Sequence, residues 1–207
     1  MKVITAPASP FGRKVRVAIA ELGLADKVQV EIFPVTELAG RAAPVNPLGK
    51  IPVLIHDDGS TLYDSAVICE YLDGLAGGGR LFPTAGDARF AALKLQALGN
   101  GIGEAATLIG GERGRPEAAR HQPFIEAQKA KIERAADMLE KLADGFSATP
   151  NIGHIAIACG LGYADFRVPD IEWRTGRPRL AAWFETMAAR PSFAATVFRP
   201  PQPAPAR

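Results

Sequence analysis

The sequence predicts an α/β domain at the N-terminus followed by an all-helical domain. Three observations carry this. Strand signals are confined to the stretch up to Tyr63, as where Val28, Val30 and Ile32 alternate with Gln29 and Glu31. From Ala88 onward every apolar pattern has helical spacing. Between the two, Gly74–Asp87 carries the run Gly77-Gly78-Gly79 and then Leu81-Phe82-Pro83, which suits a connection between domains. The expected boundaries are 1–77 and 86–199.

Composition narrows the function. A chain of 207 residues fits one large domain or two small ones, and 47% hydrophobic residues suffice for a sizeable core. The 24 basic and 22 acidic residues leave a formal net charge of +2 and no long basic stripe, which argues against nucleic acid as a partner. Cys69 and Cys159 lie far apart in apolar helical runs, so they read as buried free thiols and exclude a zinc ribbon or a CxxC redox pair. His56, His121 and His154 are scattered without metal-ligand spacing, so no metal is expected. Met1-Lys2-Val3-Ile4 enters a strand at once, and no apolar run approaches 18 residues. The expectation is a cytoplasmic protein with no membrane contact.

Taken in order, Lys2–Ala6 is a short strand and Pro7-Ala8-Ser9-Pro10 a turn. Phe11–Leu22 is a helix with Val15, Ala18, Ile19 and Leu22 on one face and Gly23 as its C-cap; Arg13, Lys14 and Arg16 fall largely on other faces, and Arg13 reads as an exposed first-turn residue. Val28–Val35 is a strand, and Thr36–Ala43 a short, weak helix or an irregular segment. The chain is organised around Asn46–Leu72. Asn46-Pro47-Leu48-Gly49 is a turn, Pro52–His56 a strand, Asp57-Asp58-Gly59-Ser60 a hairpin signal and Thr61–Tyr63 the returning strand. Asp64-Ser65 then precedes a helix with Val67, Ile68, Tyr71 and Leu72 on one face. A strand pair thus delivers a polar dipeptide to a helix N-terminus, where anions are favoured.

This stretch, with its N-P-x-G-K-[IV]-P letters, hairpin and acidic-Ser pair, resembles the glutathione-binding half of the thioredoxin-like domain of the glutathione transferases. The element order β-α-β-α-β-β-α agrees with such a domain, a mixed sheet between helices. The resemblance implies a cis peptide bond before Pro52 and backbone pairing of Ile51 with the cysteinyl part of glutathione. It gives Asp64 and Ser65 the γ-glutamyl end, where the carboxylate of Asp64 can pair the ammonium and the Ser65 hydroxyl and helix amides the carboxylate. Lys50 can reach the glycyl carboxylate. Read without the resemblance, Asp64 and Ser65 simply cap a helix.

Ser9-Pro10-Phe11-Gly12 stands where thioredoxin-like proteins carry C-P-x-C, with Ser9 and Gly12 in the two cysteine positions, which excludes a dithiol cycle. A hydroxyl near a helix N-terminus remains. In serine-type, bacterial-like glutathione transferases such a hydroxyl donates to the glutathione sulfur, and this implies that role for Ser9. A thiol ionises near ~8.5, and lowering that by about two units takes roughly 2.7 kcal/mol. One hydrogen bond to a charged group supplies about 1.5–3 kcal/mol and a helix N-terminus about 0.3–1, so the groups present suffice. Ser9 followed by Pro10 also reads as an ordinary N-cap, and the two roles are compatible.

In the second domain Ala88 to about Ile109 is Ala- and Leu-rich, with Gly99, Gly101 and Gly103 marking a bend or a close approach. Gly110–Arg120 reads as a polar loop, and a helix follows from Pro123 to about Asp144 with Ile125, Ile132, Ala135, Leu139 and Leu142 as its apolar stripe. Asn151 opens a buried helix. The family usually has S/T-x-x-D there, and His154 replaces the acid, which bears on the acid tolerance of this helix. Gly162-Tyr163-Ala164-Asp165-Phe166-Arg167 matches the family, as does Pro178-Arg179-Leu180 with Trp183 and Arg190-Pro191-Ser192-Phe193, Trp183 being read as packing. Pro200–Arg207 is a proline-rich tail without a core role.

The resemblance covers roughly residues 2–197. It implies a homodimeric glutathione transferase acting on a hydrophobic electrophile, with glutathione as co-substrate and no bound cofactor. Two rivals stand beside it: a glutathione-dependent disulfide reductase or peroxidase, and a non-catalytic binding or assembly module on the same fold. The electrophile is expected to meet helical-domain side chains around Gly99–Leu108 and Tyr163.

Overall fold

The computed structural model describes residues 1–199; the proline-rich stretch 200–207 lies outside the described residues. The chain divides into two units, Met1–Thr84 together with the described chain from Ala195, and Ala85–Ala194. The connection up to Thr84 and the last described residues therefore belong to the first unit, where boundaries of 77 and 199 were expected.

In the first unit β1 (Lys2–Thr5), α1 (Pro10–Leu22) and β2 (Gln29–Ile32) are followed by a 3₁₀ turn, Val35–Glu37, and the short α2 (Leu38–Ala42). Then come β3 (Val53–Ile55), β4 (Thr61–Leu62) and α3 (Ser65–Leu75). The sheet order is β2-β1-β3-β4, with β1 and β2 parallel and the other pairs antiparallel. The mixed sheet of the expected α/β domain is thus present. Pleating splits the strands between two faces. Ile4 and Val53 pack with Phe33, and Leu38, Val45, Ile51, Ile55 and Tyr63 close over them. Val3, Leu54, the buried face of α1 (Val15, Ala18, Ile19, Leu22) and Ile68, Cys69 and Leu72 of α3 are also buried. Each large apolar side chain so removed from water contributes about 1.5–3 kcal/mol. α1 stops at Gly23, whose φ of 69° lets its N–H reach Ala20 O while Leu24 N reaches Ile19 O.

Three local expectations change. β2 is four residues long and ends before Phe33-Pro34, and Ile32 is 47% exposed, because β2 is an edge strand whose outer flank has no neighbour among the described strands. Arg13 is 6% exposed instead of lying in solvent: its Nε donates to Thr196 Oγ1 at 3.4 Å and its guanidinium stacks 4.6 Å from the Phe198 ring. The glycine-rich connection is a tied loop. The buried Asp73 carboxylate accepts from Gly79 N (2.9 Å), Leu81 N (2.7 Å) and Phe82 N (3.3 Å), and the Arg80 guanidinium donates to the carbonyls of Glu21 and Leu22 at the end of α1.

The second unit holds α4 (Gly86–Arg113), α5 (Gln122–Leu142), α6 (Ile152–Arg167), α7 (Pro178–Ala188) and α8 (Pro191–Ala194). It is the all-helical domain expected. α4 runs unbroken through Gly99, Gly101 and Gly103 and includes Gly110–Arg113, for which the sequence suggests a loop. Its helical cost of about 1 kcal/mol per glycine is offset by packing. A Cβ on Gly99 would lie 2.3–2.6 Å from the backbone of Ala156 and Ile157, and one on Gly160 would lie 2.5 Å from Gly99 O. The glycines therefore serve the close approach of α4 and α6. On α5 the stripe is buried except for Leu142, which is 37% exposed. α6 opens with a capping box: Asn151 Oδ1 accepts from Gly153 N and His154 N, and His154 Nδ1 accepts from Asn151 N at 3.2 Å. The imidazole takes the place of the usual acid by acting as a neutral acceptor, and burial pushes its pKa down.

Candidate active site

The sheet register brings the sequence-predicted residues to one end of the first unit. β1 and β3 pair Ile4 with Val53, so the chain leaving Thr5 toward Ser9 and the chain arriving through Pro52 meet at the same end. β3 and β4 pair Leu54 with Leu62, so Asp64, two residues on, extends toward that end too. α1 and α3 both begin there, directly after Ser9 and Asp64. Across the sheet the order is then the Ser9 loop on β1, Pro52 on β3 and Asp64 on β4. Two helix N-termini with their undonated amides flank an extended segment, an arrangement suited to anionic groups.

Ser9 is the N-cap of α1, with Pro10 at the first helical position. Its Oγ accepts from Gly12 N at 3.0 Å. This uses an acceptor lone pair and leaves the hydroxyl proton to donate. Gly12 is required on steric grounds: a Cβ there would stand 1.8 Å from the buried Thr5 Oγ1. The helix start is therefore seated directly on β1.

The Asn46–Pro52 segment is shaped by the Asn46 side chain, to which the sequence analysis gives no role beyond its place in the turn. Buried Asn46 donates through Nδ2 to Lys50 O (2.9 Å) and accepts from Leu48 N at Oδ1 (3.0 Å), while Gly49, at φ 61°, donates to Asn46 O. Asn at this place in a turn is the readable signal. The Ile51–Pro52 bond is cis, as the resemblance implies, and so is Tyr63–Asp64. Ile51 is half-buried, Pro52 is buried and the Lys50 side chain is exposed. Asp64 is exposed and caps α3, its Oδ1 accepting from Ala66 N at 2.9 Å; Ser65, the first helical residue, is 2% exposed.

Asp165, part of the matched Gly162–Arg167 letters, has a structural role: it accepts from Trp173 Nε1 at 2.7 Å and holds the Arg174 guanidinium through both oxygens. Trp183 packs beside Phe146, with ring centroids 4.9 Å apart. Among the described residues no cluster of three or more His, Cys, Asp or Glu could hold a metal ion, and no helix is long and apolar enough to cross a membrane.

Comparison with known proteins agrees with this geometry. Residues 8–75 match the model of the glutathione S-transferase N-terminal domain and residues 122–186 that of the C-terminal domain. The chain is 35% identical over 199 residues to the uncharacterized GST-like protein YibF of Escherichia coli K12, covering 95% of this chain and 98% of YibF. A glutathione transferase family member from Pseudomonas fluorescens Pf-5, solved with S-(propanoic acid)-glutathione, shares 40% identity at a TM-score of 0.86, covering 95% of this chain and 98% of that one. A glutathione S-transferase from Methylobacterium radiotolerans, solved with glutathione sulfonate, shares 33% identity at a TM-score of 0.88, covering 100% and 98%. The two domain matches in order, and relatives of this identity over nearly the whole length, establish that the chain belongs to the glutathione S-transferase family.

Proposed function

We propose that this protein binds glutathione at the β1–β3–β4 end of its first unit and activates the thiol for attack on an electrophilic small molecule. The observation that carries the reading is the Ser9 hydroxyl, whose acceptor side is engaged by Gly12 N and whose donor side remains for a thiolate. The relatives solved with glutathione or its derivatives support it. Ile51 offers its backbone beside cis-Pro52 to the cysteinyl residue. Asp64 and Ser65, with the first amides of α3, take the ammonium and carboxylate of the γ-glutamyl end, and Lys50 takes the glycyl carboxylate.

In the reaction, Ser9 holds the sulfur as thiolate by donating its hydroxyl proton in a hydrogen bond, reinforced by the N-terminus of α1. The sulfur attacks the electrophilic carbon and a carbon–sulfur bond forms. A leaving group departs with its electron pair, or an activated double bond takes up a proton at the neighbouring carbon. The protein contributes position and charge stabilisation. The homodimeric state and cytoplasmic location belong to the same reading; Phe90 and Leu108 on α4 and Val67 on α3 leave apolar surface for a second copy.

An ultraviolet pH titration of the bound thiol tests this with wild type and Ser9→Ala. The expected result is ionisation well below the free value of ~8.5, with about one to two units of the shift lost on substitution, the equivalent of one charged hydrogen bond. A shift that survives Ser9→Ala removes Ser9 from the role. Absence of glutathione binding removes the enzyme reading and leaves a non-catalytic member of the fold.

A further inference from the structure

Thr5 closes β1 and is fully buried, yet its Oγ1 has no hydrogen-bond partner among the described residues. Nearly all buried polar groups in folded proteins are paired, because an unmade hydrogen bond carries a desolvation cost that nothing offsets. A valine at this position would fill the same space without that cost. The hydroxyl therefore has no structural partner in the free protein, and the question is what it meets when a ligand is bound.

Its surroundings point to one group. Pleating turns Thr5 to the same face of β1 as Val3, and the first turn of α1 rests on it there. The place where a Cβ on Gly12 would stand is 1.8 Å from Thr5 Oγ1, 3.0 Å from Thr5 Cβ and 3.2 Å from Ser9 Cβ. Thr5 and Ser9 thus press on the same point of the helix start, and Gly12 has no side chain to separate them. Gly12 also donates its N–H to Ser9 Oγ at 3.0 Å. One glycine therefore touches both side chains: its amide meets the serine oxygen, and its bare α-carbon side meets the threonine oxygen.

A serine oxygen has three hydrogen-bonding directions, two lone pairs and one proton. In Ser9 the Gly12 amide fills one lone pair, which leaves the proton two directions to choose from. A donor on the second lone pair would leave it one. Thr5 has a proton to give, stands beside Ser9 and can turn its O–H about a single bond. Donation into the Ser9 oxygen also makes Ser9 a stronger donor in turn, and burial keeps the contact unscreened.

We infer that Thr5 is a positioning residue for the thiol: on glutathione binding its hydroxyl donates to Ser9 Oγ and so directs the Ser9 proton onto the sulfur. No bond breaks and no proton changes owner; two hydroxyl protons turn. The inference rests on the role proposed for Ser9, and it makes Thr5 act only through that residue.

The test is a double-mutant cycle of Thr5→Val and Ser9→Ala. It is read by ultraviolet titration of the bound glutathione thiol, with S-methylglutathione, which has no thiol to ionise, as the calorimetric control. Thr5→Val is expected to raise the thiol pKa of the complex by about half to one unit, or about three- to tenfold less thiolate below that pKa. Its affinity for S-methylglutathione should stay within about twofold of wild type, the scale of a change that leaves the peptide contacts intact. Thr5→Ser, which keeps the hydroxyl, is expected to titrate as wild type. In the Ser9→Ala background Thr5→Val is expected to change nothing further. Thr5→Ala also lacks the hydroxyl and gives the same comparison if the valine does not fold. An unchanged thiol pKa in Thr5→Val, a shift in Thr5→Ser as large as in Thr5→Val, or a shift that persists in the Ser9→Ala background overturns the inference while glutathione binding stands. A wild-type complex whose thiol still titrates near the free value of ~8.5, or no glutathione binding at all, overturns the Ser9 reading and this inference with it.

Discussion

The capping box of α6 makes stability depend on pH through one histidine. His154 is 4% exposed, its Nδ1 accepts from Asn151 N, and its ring lies 5.0 Å from that of Phe146. Burial lowers its pKa in the folded state. The sign follows from linkage: as pH falls, the unfolded chain takes up the proton first, so stability is complete above the unfolded value of about 6.5 and declines below it until the folded pKa is passed. The slope cannot exceed about 1.36 kcal/mol per pH unit, so between pH 7 and pH 5 the loss is at most about 2 kcal/mol. Protonation removes the acceptor for Asn151 N–H and sets a positive charge at the positive end of α6. Carboxylates add little in this window: Glu31, Glu112 and Asp170 are held below their ordinary range, chiefly by hydrogen bonds from Lys2, His121 N–H and Arg113 respectively, and unfolded carboxyls titrate near about 4. His154→Gln supplies the usual capping-box partner without titrating. It is expected to be less stable near pH 7 by about 1 kcal/mol, through lost ring packing, and to show a flatter pH profile. Denaturant unfolding followed by tryptophan fluorescence is the assay, since Trp173 and Trp183 both lie in the helical unit. Parallel profiles for the two proteins, or wild type gaining stability on acidification relative to the variant, would rule out His154 as the source of the pH dependence.

Two further perturbations probe what the structure adds. Gly99→Ala places a methyl 2.3–2.6 Å from the α6 backbone and is expected to cost at least about 1–3 kcal/mol in unfolding experiments, whereas Gly101→Ala, with nothing within 4 Å, is expected to be neutral or stabilising by up to about 1 kcal/mol. Asp73→Asn removes the charge that three backbone amides share and is expected to cost about 1–3 kcal/mol, with faster hydrogen exchange at Gly79 and Leu81 as the local readout.

What could be read from the sequence was whatever rests on local chemistry. The turn at Asn46–Gly49, the Ser9-Pro10 helix start and the Gly23 stop are all specified by residues within a few positions of one another, and they stand as expected. What escaped was non-local. Nothing near Arg13 announces that Thr196 and Phe198 cover it, so an arginine in a first turn reads as solvated until the far end of the chain is placed. Gly110 reads as loop because its reason for being small lies 57 residues on: a Cβ there would meet the Arg167 guanidinium at 2.7 Å. Asp73 stood inside a helical pattern, and only the folded connection shows which amides it collects.

The structural and ligand-binding readings of Ser9 and Asp64 draw on different valences of the same side chains. A capping serine uses an oxygen lone pair, and stabilising a thiolate uses the hydroxyl proton; the bond from Gly12 N also orients that oxygen. Asp64 accepts from Ala66 N with Oδ1, which leaves Oδ2 for an ammonium. The amides of a first helical turn not taken up by caps point the same way. Capping thus supports a ligand role here, because it fixes the side chain in advance and reduces the ordering cost of binding. The effects of substitution are ordered accordingly. Removing Ser9 or Asp64 loses a cap worth about 0.5–2 kcal/mol of stability together with the ligand contact proposed for it, so stability and glutathione affinity should fall together at these two positions. At Lys50, which is exposed and caps no helix, affinity alone should fall.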